Sequence, residues 1–335
     1  MNVIQKLTVA CSAAVALAAP TLTNAEEIVA KMAFHWAPKH HSAIHAQMFA
    51  DEVNKRAAGR LKIEVFPSGQ LFGIREILGA VTSGAVQIGG IVPIVSFPPI
   101  NKNYNVAAHP GLFASYQQQR DFFMQDPTGQ EIWNDMTTRS DTTLLMYNPV
   151  GPVMTFSKEG PLDSVGSMQG LKARALLQLE RPRWDALEAN AVSLPTREVY
   201  TSLQSGLINT LNTPPGSVEA YSWWEYLNHA QLPYQYFSDA YMMANTTWWN
   251  TVPADLQQIM LDVGKEIGAI STAKILEVGE STLAKFQERG GTVTVLDGEA
   301  KAEFDMLMDE KVVPAMADLF DAEILVAAQS FVAQN

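Results

Sequence analysis

Two histidines four residues apart, His41 and His45, form a spacing that suits metal chemistry, because positions i and i+4 share one face of a helix. The segment HSAIH lacks the adjacent glutamate of an H-E-x-x-H zinc site, so the pair reads as a solvated cap region. The chain contains no nucleophile elbow, phosphate-binding loop or dinucleotide glycine fingerprint. Neither an enzyme nor a cofactor is expected. Residues suited to recognition form a different set. His35 and Trp36 end an apolar run where a cleft loop should begin, and the indole is either a stacking wall for a ligand or a packed core aromatic. Arg181 and Arg183 flank Pro182 at a helix start and are expected to be solvated, with a second cleft cation as the alternative. Phe237 and Asp239 lie near a later strand that could line the same cleft.

The elements that must position these residues follow from hydrophobic period. Ile28 to Phe34 is a strand, and a helix from about Ser42 carries Ile44, Met48, Phe49 and Val53 at helical spacing. Strands over Leu61 to Phe66 and Val86 to Val92 enclose a second helix, Arg75 to Thr82. This β-α-β-α-β order predicts a parallel sheet with right-handed crossovers. A second α/β unit follows, with strands at Leu144 to Met146, Val153 to Phe156, Leu171 to Leu176, Val192 to Leu194 and Ile208 to Leu211. Helices between them are read at Pro182 to Ala189 and Glu198 to Ser205. Tyr236 to Met243 reads as a strand returning to the first unit, and Ala254 to Glu288 as one long helix with no internal proline. Open sheets of this type bind ligands beyond the carboxyl ends of their strands.

The ends and the composition bound the compartment. Lys6 is the only charge before the apolar run Leu7 to Pro20, and small residues follow at Thr23, Asn24 and Ala25, the pattern of a secretory signal peptide cut after Ala25. The cut would remove Cys11, the one cysteine, and with it any disulfide or thiolate site. It would leave 310 of 335 residues, enough for two lobes, and take the formal charge from −12 to −13. Such an acidic surface argues against nucleic acid or anionic membrane as a partner.

Four segments carry a family resemblance in register. They are FADEVNKRAAGRLKIEVFPSGQL (Phe49 to Leu71), GLKAR (Gly170 to Arg174), EVYTSLQSGLINTLNTP (Glu198 to Pro214) and WWNTVPADLQ (Trp248 to Gln257). The chain resembles the solute-binding proteins of TRAP (tripartite ATP-independent periplasmic) transporters over nearly all of its length after residue 25. The resemblance implies a two-lobed α/β periplasmic solute-binding fold whose long helix bridges both lobes, closing over a ligand. The corresponding division is residues 26–150 with about 236–253 in lobe 1, 151–235 with about 290–298 in lobe 2, 254–289 as the bridging helix, and 299–335 as a C-terminal helical region. The implied partners are a small organic acid and the transporter's membrane subunits, with the receptor itself a monomer. A ligand-sensing adaptor for a membrane sensor would share the fold and the site.

The resemblance also implies that Arg174, the arginine of GLKAR, pairs with a substrate carboxylate. The chemistry agrees, because the planar guanidinium matches a carboxylate with two parallel hydrogen bonds, and its neighbours Leu171, Ala173, Ala175 and Leu176 are apolar. A structural ion pair with Glu180 is the alternative use. Where many family members carry a second arginine after a glycine, this chain has Gly151, Pro152, Val153 and Met154, so Val153 stands in its place. Asn212 and Thr213 precede Pro214 and offer bonds to a keto or hydroxyl oxygen. One cation among apolar walls, with Trp36 and Phe237 as stacking faces, points to an apolar or aromatic monocarboxylate or a 2-oxo acid. C4-dicarboxylates and sugar acids come second.

Overall fold

The computed structural model describes residues 27–335, so the signal-peptide reading and Cys11 lie outside the described residues. The strands are, in chain order, β1 (Ile28–Ala33), β2 (Leu61–Phe66), β3 (Ile88–Ile91), β4 (Thr142–Tyr147), β5 (Gly151–Ser157), β6 (Lys172–Arg174), β7 (Asn190–Val192), β8 (Thr210–Thr213), β9 (His229–Ser238), β10 (Tyr241–Asn245) and β11 (Thr292–Val295). They build two sheets, ordered β2-β1-β3-β10-β4 and β11-β9-β5-β8-β6-β7. Strands β1, β2 and β3 pair in parallel, as the β-α-β-α-β pattern predicts, and β10 closes the first sheet antiparallel between β3 and β4. The run expected as one returning strand is two, β9 in the second sheet and β10 in the first. The Leu144 to Met146 strand belongs to the first sheet as β4.

Three strand connections cross between the sheets, β4 to β5, β9 to β10, and β10 to β11 through the long helix; the first two run side by side. The Asn148 amide donates to the Ala240 carbonyl at 2.8 Å, and the Val150 amide to the Ser238 carbonyl at 2.8 Å. The Asn148 side chain fixes this crossing to two helices. Its Nδ2 donates to the Ser42 carbonyl at 2.9 Å, and its Oδ1 accepts from Ser271 Oγ at 2.9 Å. Buried polar groups need such partners, and here they tie the crossing to both the first helix and the long one.

The helix His41–Ala57 starts on His40, whose Nδ1 accepts from the Ser42 amide at 3.1 Å, and ends where Ala58 turns left-handed. Its buried stripe is Ala46, Phe49, Ala50 and Val53, whereas Ile44 and Met48 are exposed. The helical period is as expected but the buried face is rotated, because His41, Ser42 and His45 occupy the covered side of the first turns. Two helices occupy a stretch to which the hydrophobic pattern assigns no element. Tyr116–Gln125 is capped by Ser115, and Pro127–Arg139 by Asp126. The second begins with proline in its first turn, where the missing amide costs nothing.

The long helix Ala254–Glu288 begins after Pro253 and extends about 50 Å at 1.5 Å per residue. Its buried residues recur every three or four positions, from Leu256 through Gly264, Gly268 and Ser271 to Thr282 and Phe286. The first half lies on β4 and the second reaches β5, β11 and the helix Pro215–Ala220, so one helix braces both lobes. No helix of the described residues is long and apolar enough to cross a membrane.

Contact with β4 is backbone to backbone. A Cβ placed on Gly264 would lie 2.0 Å from the Leu145 carbonyl oxygen, and one on Gly268 3.0 Å from that of Tyr147. Gly264→Ala should therefore push the helix off β4 and destabilise the protein by about 1–3 kcal/mol, as overpacked cores do. A lower urea midpoint than wild type is the expected result. An unchanged midpoint would show that the helix shifts at no cost.

Candidate functional site

Both sheets present residues to a narrow, partly enclosed cleft between them. Arg174, at the end of β6, lines it and is 3 % exposed. Its Nε donates to the Leu194 carbonyl at 3.0 Å and its Nη2 to Thr196 Oγ1 at 3.2 Å. No hydrogen bond from Nη1 exists among the described residues. Burial pushes the guanidinium down to about 10, against the pull of nearby Glu180, so it stays charged at neutral pH.

Glu180 does not form an ion pair with Arg174. Its Oε2 accepts from the Leu176 and Leu177 amides at 2.8 and 3.1 Å, and its Oε1 accepts from Asn212 Nδ2 and Tyr236 Oη, each at 3.2 Å. Burial raises its carboxyl above the ordinary range. The one acid close to Arg174 is thus committed to folding the loop after β6.

Arg183 is buried at 3 % exposure, which corrects the expectation of a solvated surface cation. It lies behind Asn212, outside the residues that line the cleft. Its Nη2 donates to Thr155 Oγ1 at 3.0 Å and its Nη1 to Asn212 Oδ1 at 3.3 Å, and its Cζ lies 5.2 Å from the Trp184 ring centroid and 5.4 Å from that of Phe304. Burial pushes it down to about 10. Asn212 lines the cleft, yet its amide is engaged on every side, since Oδ1 also accepts from Thr155 Oγ1 and Gln235 Nε2. Thr213 lines the cleft too, and its hydroxyl bonds no other described side chain.

His35 and Trp36 both line the cleft. Burial, and then the charge of Arg174, hold the His35 imidazole neutral by lowering it to about 3. Phe237 and Asp239 are not brought there. Successive side chains of a strand point to opposite faces. Tyr236 and Ser238 take the cleft side of β9, which leaves Phe237 against the Tyr116 ring and turns Asp239 into lobe 1. A shift of one residue separates the expected pair from the observed one. Tyr221, also missed by sequence reasoning, reaches across the cleft: its hydroxyl accepts from the Ala37 amide at 3.3 Å and lies 3.4 Å from the His35 carbonyl. Further contacts that join the lobes include His40 Nε2 with Ser217 Oγ at 3.1 Å, and Arg75 Nη2 to the Leu176 carbonyl at 2.9 Å and to Ser193 Oγ at 3.0 Å.

The His41 and His45 pair is buried, not solvated as expected. His41 Nε2 lies 3.0 Å from Ser271 Oγ, and His45 Nδ1 2.9 Å from the His41 carbonyl. Burial keeps both imidazoles neutral, His41 lowered to about 3. Among the described residues, no group of three or more histidine, cysteine or acidic side chains is placed to hold a metal ion.

With this geometry in view, the profile of the family described as "Bacterial extracellular solute-binding protein, family 7" matches residues 32–318. The chain belongs to that family, the solute receptors of TRAP transporters. A relative of this solute-binding protein, the C4-dicarboxylate-binding periplasmic protein DctP of Rhodobacter capsulatus, is 25 % identical over 332 residues, covering 97 % of this chain and 96 % of the relative. Two solved structures share its fold. DctP7 of Bordetella pertussis, an extracytoplasmic solute receptor binding pyroglutamic acid, superposes with a TM-score of 0.81 at 18 % identity, covering 90 % of this chain and 99 % of its own. A TRAP periplasmic solute-binding protein of Sulfurospirillum deleyianum with bound succinate gives 0.83 at 21 %, covering 92 % and 100 %.

Asp239 offers a test of how the solute-binding protein encloses charge. It is 2 % exposed, Tyr147 Oη donates to it at 2.6 Å and Gln119 Nε2 at 3.1 Å, and burial pushes its carboxyl up to about 7. The folded chain then holds a proton that the unfolded chain has lost. Stability falls as pH rises from about 4 to about 7 and levels off above that, by up to roughly 4 kcal/mol for this group. Asp239→Asn should remove that component, so its stability relative to wild type should climb over this window in urea titrations. A difference that stays flat from pH 4 to 7 would show the carboxyl is ionised throughout.

Proposed function

We propose that this chain is an extracytoplasmic receptor for a compact organic monocarboxylate with an apolar or aromatic body, 2-oxo acids included, which it delivers to the membrane subunits of a TRAP transporter. The observation that carries this reading is the buried charge balance. Arg174 and Arg183 face one buried carboxylate, Glu180, so one positive charge is left without a counter-ion beside the cleft. A single ligand carboxylate restores neutrality and takes the unused donors of Arg174 in a charge-assisted pair. A second carboxylate would lose its hydration among Ile94, Val95, Val153, Leu176 and Leu177, since Arg174 is the one cation among the described residues that line this cleft. The acids held by the two solved structures support an organic-acid ligand but differ in charge, so the choice rests on this lining.

Residues 26–150 with about 236–253 act in this reading as one lobe, 151–235 with about 290–298 as the other, and the contacts of Tyr221, His40 and Arg75 hold them closed over the ligand. The receptor acts as a monomer and binds its ligand without transforming it. Export follows from the leader, with cleavage after Ala25. N-terminal sequencing of the secreted form should return Glu26 first, and recovery of Met1 would remove the periplasmic assignment.

The ligand test is a thermal-shift and calorimetric screen of aromatic acids, branched 2-oxo acids, C4-dicarboxylates and sugar acids, since ligand binding stabilises by mass action. Monocarboxylates should give the large shifts. Arg174→Ala should weaken binding by about 2–5 kcal/mol, and Arg174→Lys should not restore it, because a point charge does not reproduce the fork. Tight succinate or malate binding with no response to any monocarboxylate would overturn the ligand class. Binding by a folded Arg174→Ala within a few-fold of wild type would move the anchor elsewhere.

A further inference from the structure

The wall formed by His35 and Trp36 carries polar atoms that the protein does not use. Trp36 is 1 % exposed, and its Nε1 is buried with no hydrogen-bond partner. His35 Nδ1, on a ring 4.7 Å away, is buried and unpartnered as well. The seating of the indole fixes the edge opposite its N–H. A Cβ on Gly90 would stand 2.5 Å from Cζ3 and 3.0 Å from Cη2, so the benzo edge is driven onto the glycine of β3. The Nε1 edge is across the bicycle from that contact, and the residue lines the cleft. Stacking alone would have been served by phenylalanine. An indole N–H is a donor only, and burying it unpaired is unfavourable.

We infer that the ligand carries a second recognition point besides its carboxylate, a neutral carbonyl oxygen (oxo or lactam) that accepts the Trp36 Nε1–H. The inference rests on the proposed reading of Arg174 as the carboxylate anchor and narrows the ligand class within it. A carbonyl fits where a second carboxylate does not, because the imidazole beside the indole is neutral and no further cation lines this wall among the described residues. The His35 Nδ1 is free to accept from a lactam N–H or to donate, according to its tautomer.

Two matched pairs of acids test this by calorimetry on the mature protein. They are 5-oxopyrrolidine-2-carboxylate against cyclopentanecarboxylate, and 4-methyl-2-oxopentanoate against 4-methylpentanoate. Within at least one pair the carbonyl-bearing acid should bind about 10- to 100-fold tighter, the range for satisfying one buried donor. Trp36→Phe should erase that preference, bringing the two acids of the pair within a few-fold of each other. Equal binding within both pairs by the wild-type protein would overturn the inference and leave the monocarboxylate reading standing, as expected if an ordered water takes the N–H. A preference that survives in folded Trp36→Phe would place the donor elsewhere. Binding of none of the four acids, with a dicarboxylate bound instead, would overturn both readings together.

Discussion

Arg174 is a full charge that the folded chain encloses without giving it a counter-ion, and much of lobe 2 is arranged around that fact. The nearest acid, Glu180, is spent on two backbone amides, an asparagine and a tyrosine hydroxyl. Two hydrogen bonds, to a carbonyl and a threonine hydroxyl, orient the guanidinium without neutralising it. A buried ion of this kind is strongly disfavoured until something negative arrives. Arg183, standing behind Asn212, adds to the same excess and stiffens the asparagine between the two cations. The strands β5 and β8 supply Thr155 and Asn212 to this network from adjacent positions, so the sheet register fixes its geometry.

Around that centre two short strand connections pass side by side between the lobes, and this crossing decides which residues meet the ligand. Tyr236 and Ser238 face the cleft, while Phe237 and Asp239 face the interior of lobe 1. Asn148 holds the crossing to the start of the first helix and, through Ser271, to the middle of the long one. Two neutral histidines complete the same assembly, His41 on Ser271 and His40 on Ser217 of the opposite lobe. The helix His41–Ala57 therefore begins in a polar junction and becomes an ordinary apolar stripe only from Ala46 onward.

Features set by local chemistry were legible in the sequence. The GLKAR pentad marked Arg174, the end of the first strand marked His35 and Trp36, and an unbroken period marked the long helix. What stayed hidden depends on partners distant along the chain or on strand parity. Arg183 looks like any arginine beside a proline until Thr155 and Asn212, 28 and 29 residues away, close on it. One residue of parity decides between Phe237 and Tyr236, and β9 pairs with β5 through a register shift that no periodicity records. The helices Tyr116–Gln125 and Pro127–Arg139 each bury only four residues, so their period is short and the caps Ser115 and Asp126 are the clearer signals.

The seating of Trp36 on Gly90 divides the cleft into parts with different evolutionary freedom. On the lobe 1 side the indole is locked into β3, where any residue larger than glycine would collide with it, so that wall drifts only if two positions change together. On the lobe 2 side Leu176 is only half-buried in the turn after β6, its amide held to Glu180, while Leu177 packs into the core. The Leu176 side chain is open to replacement without disturbing the charge network beneath it. A lineage descended from this receptor can thus change the bulk of its cargo one substitution at a time, while the demand for an acid and the indole wall persist.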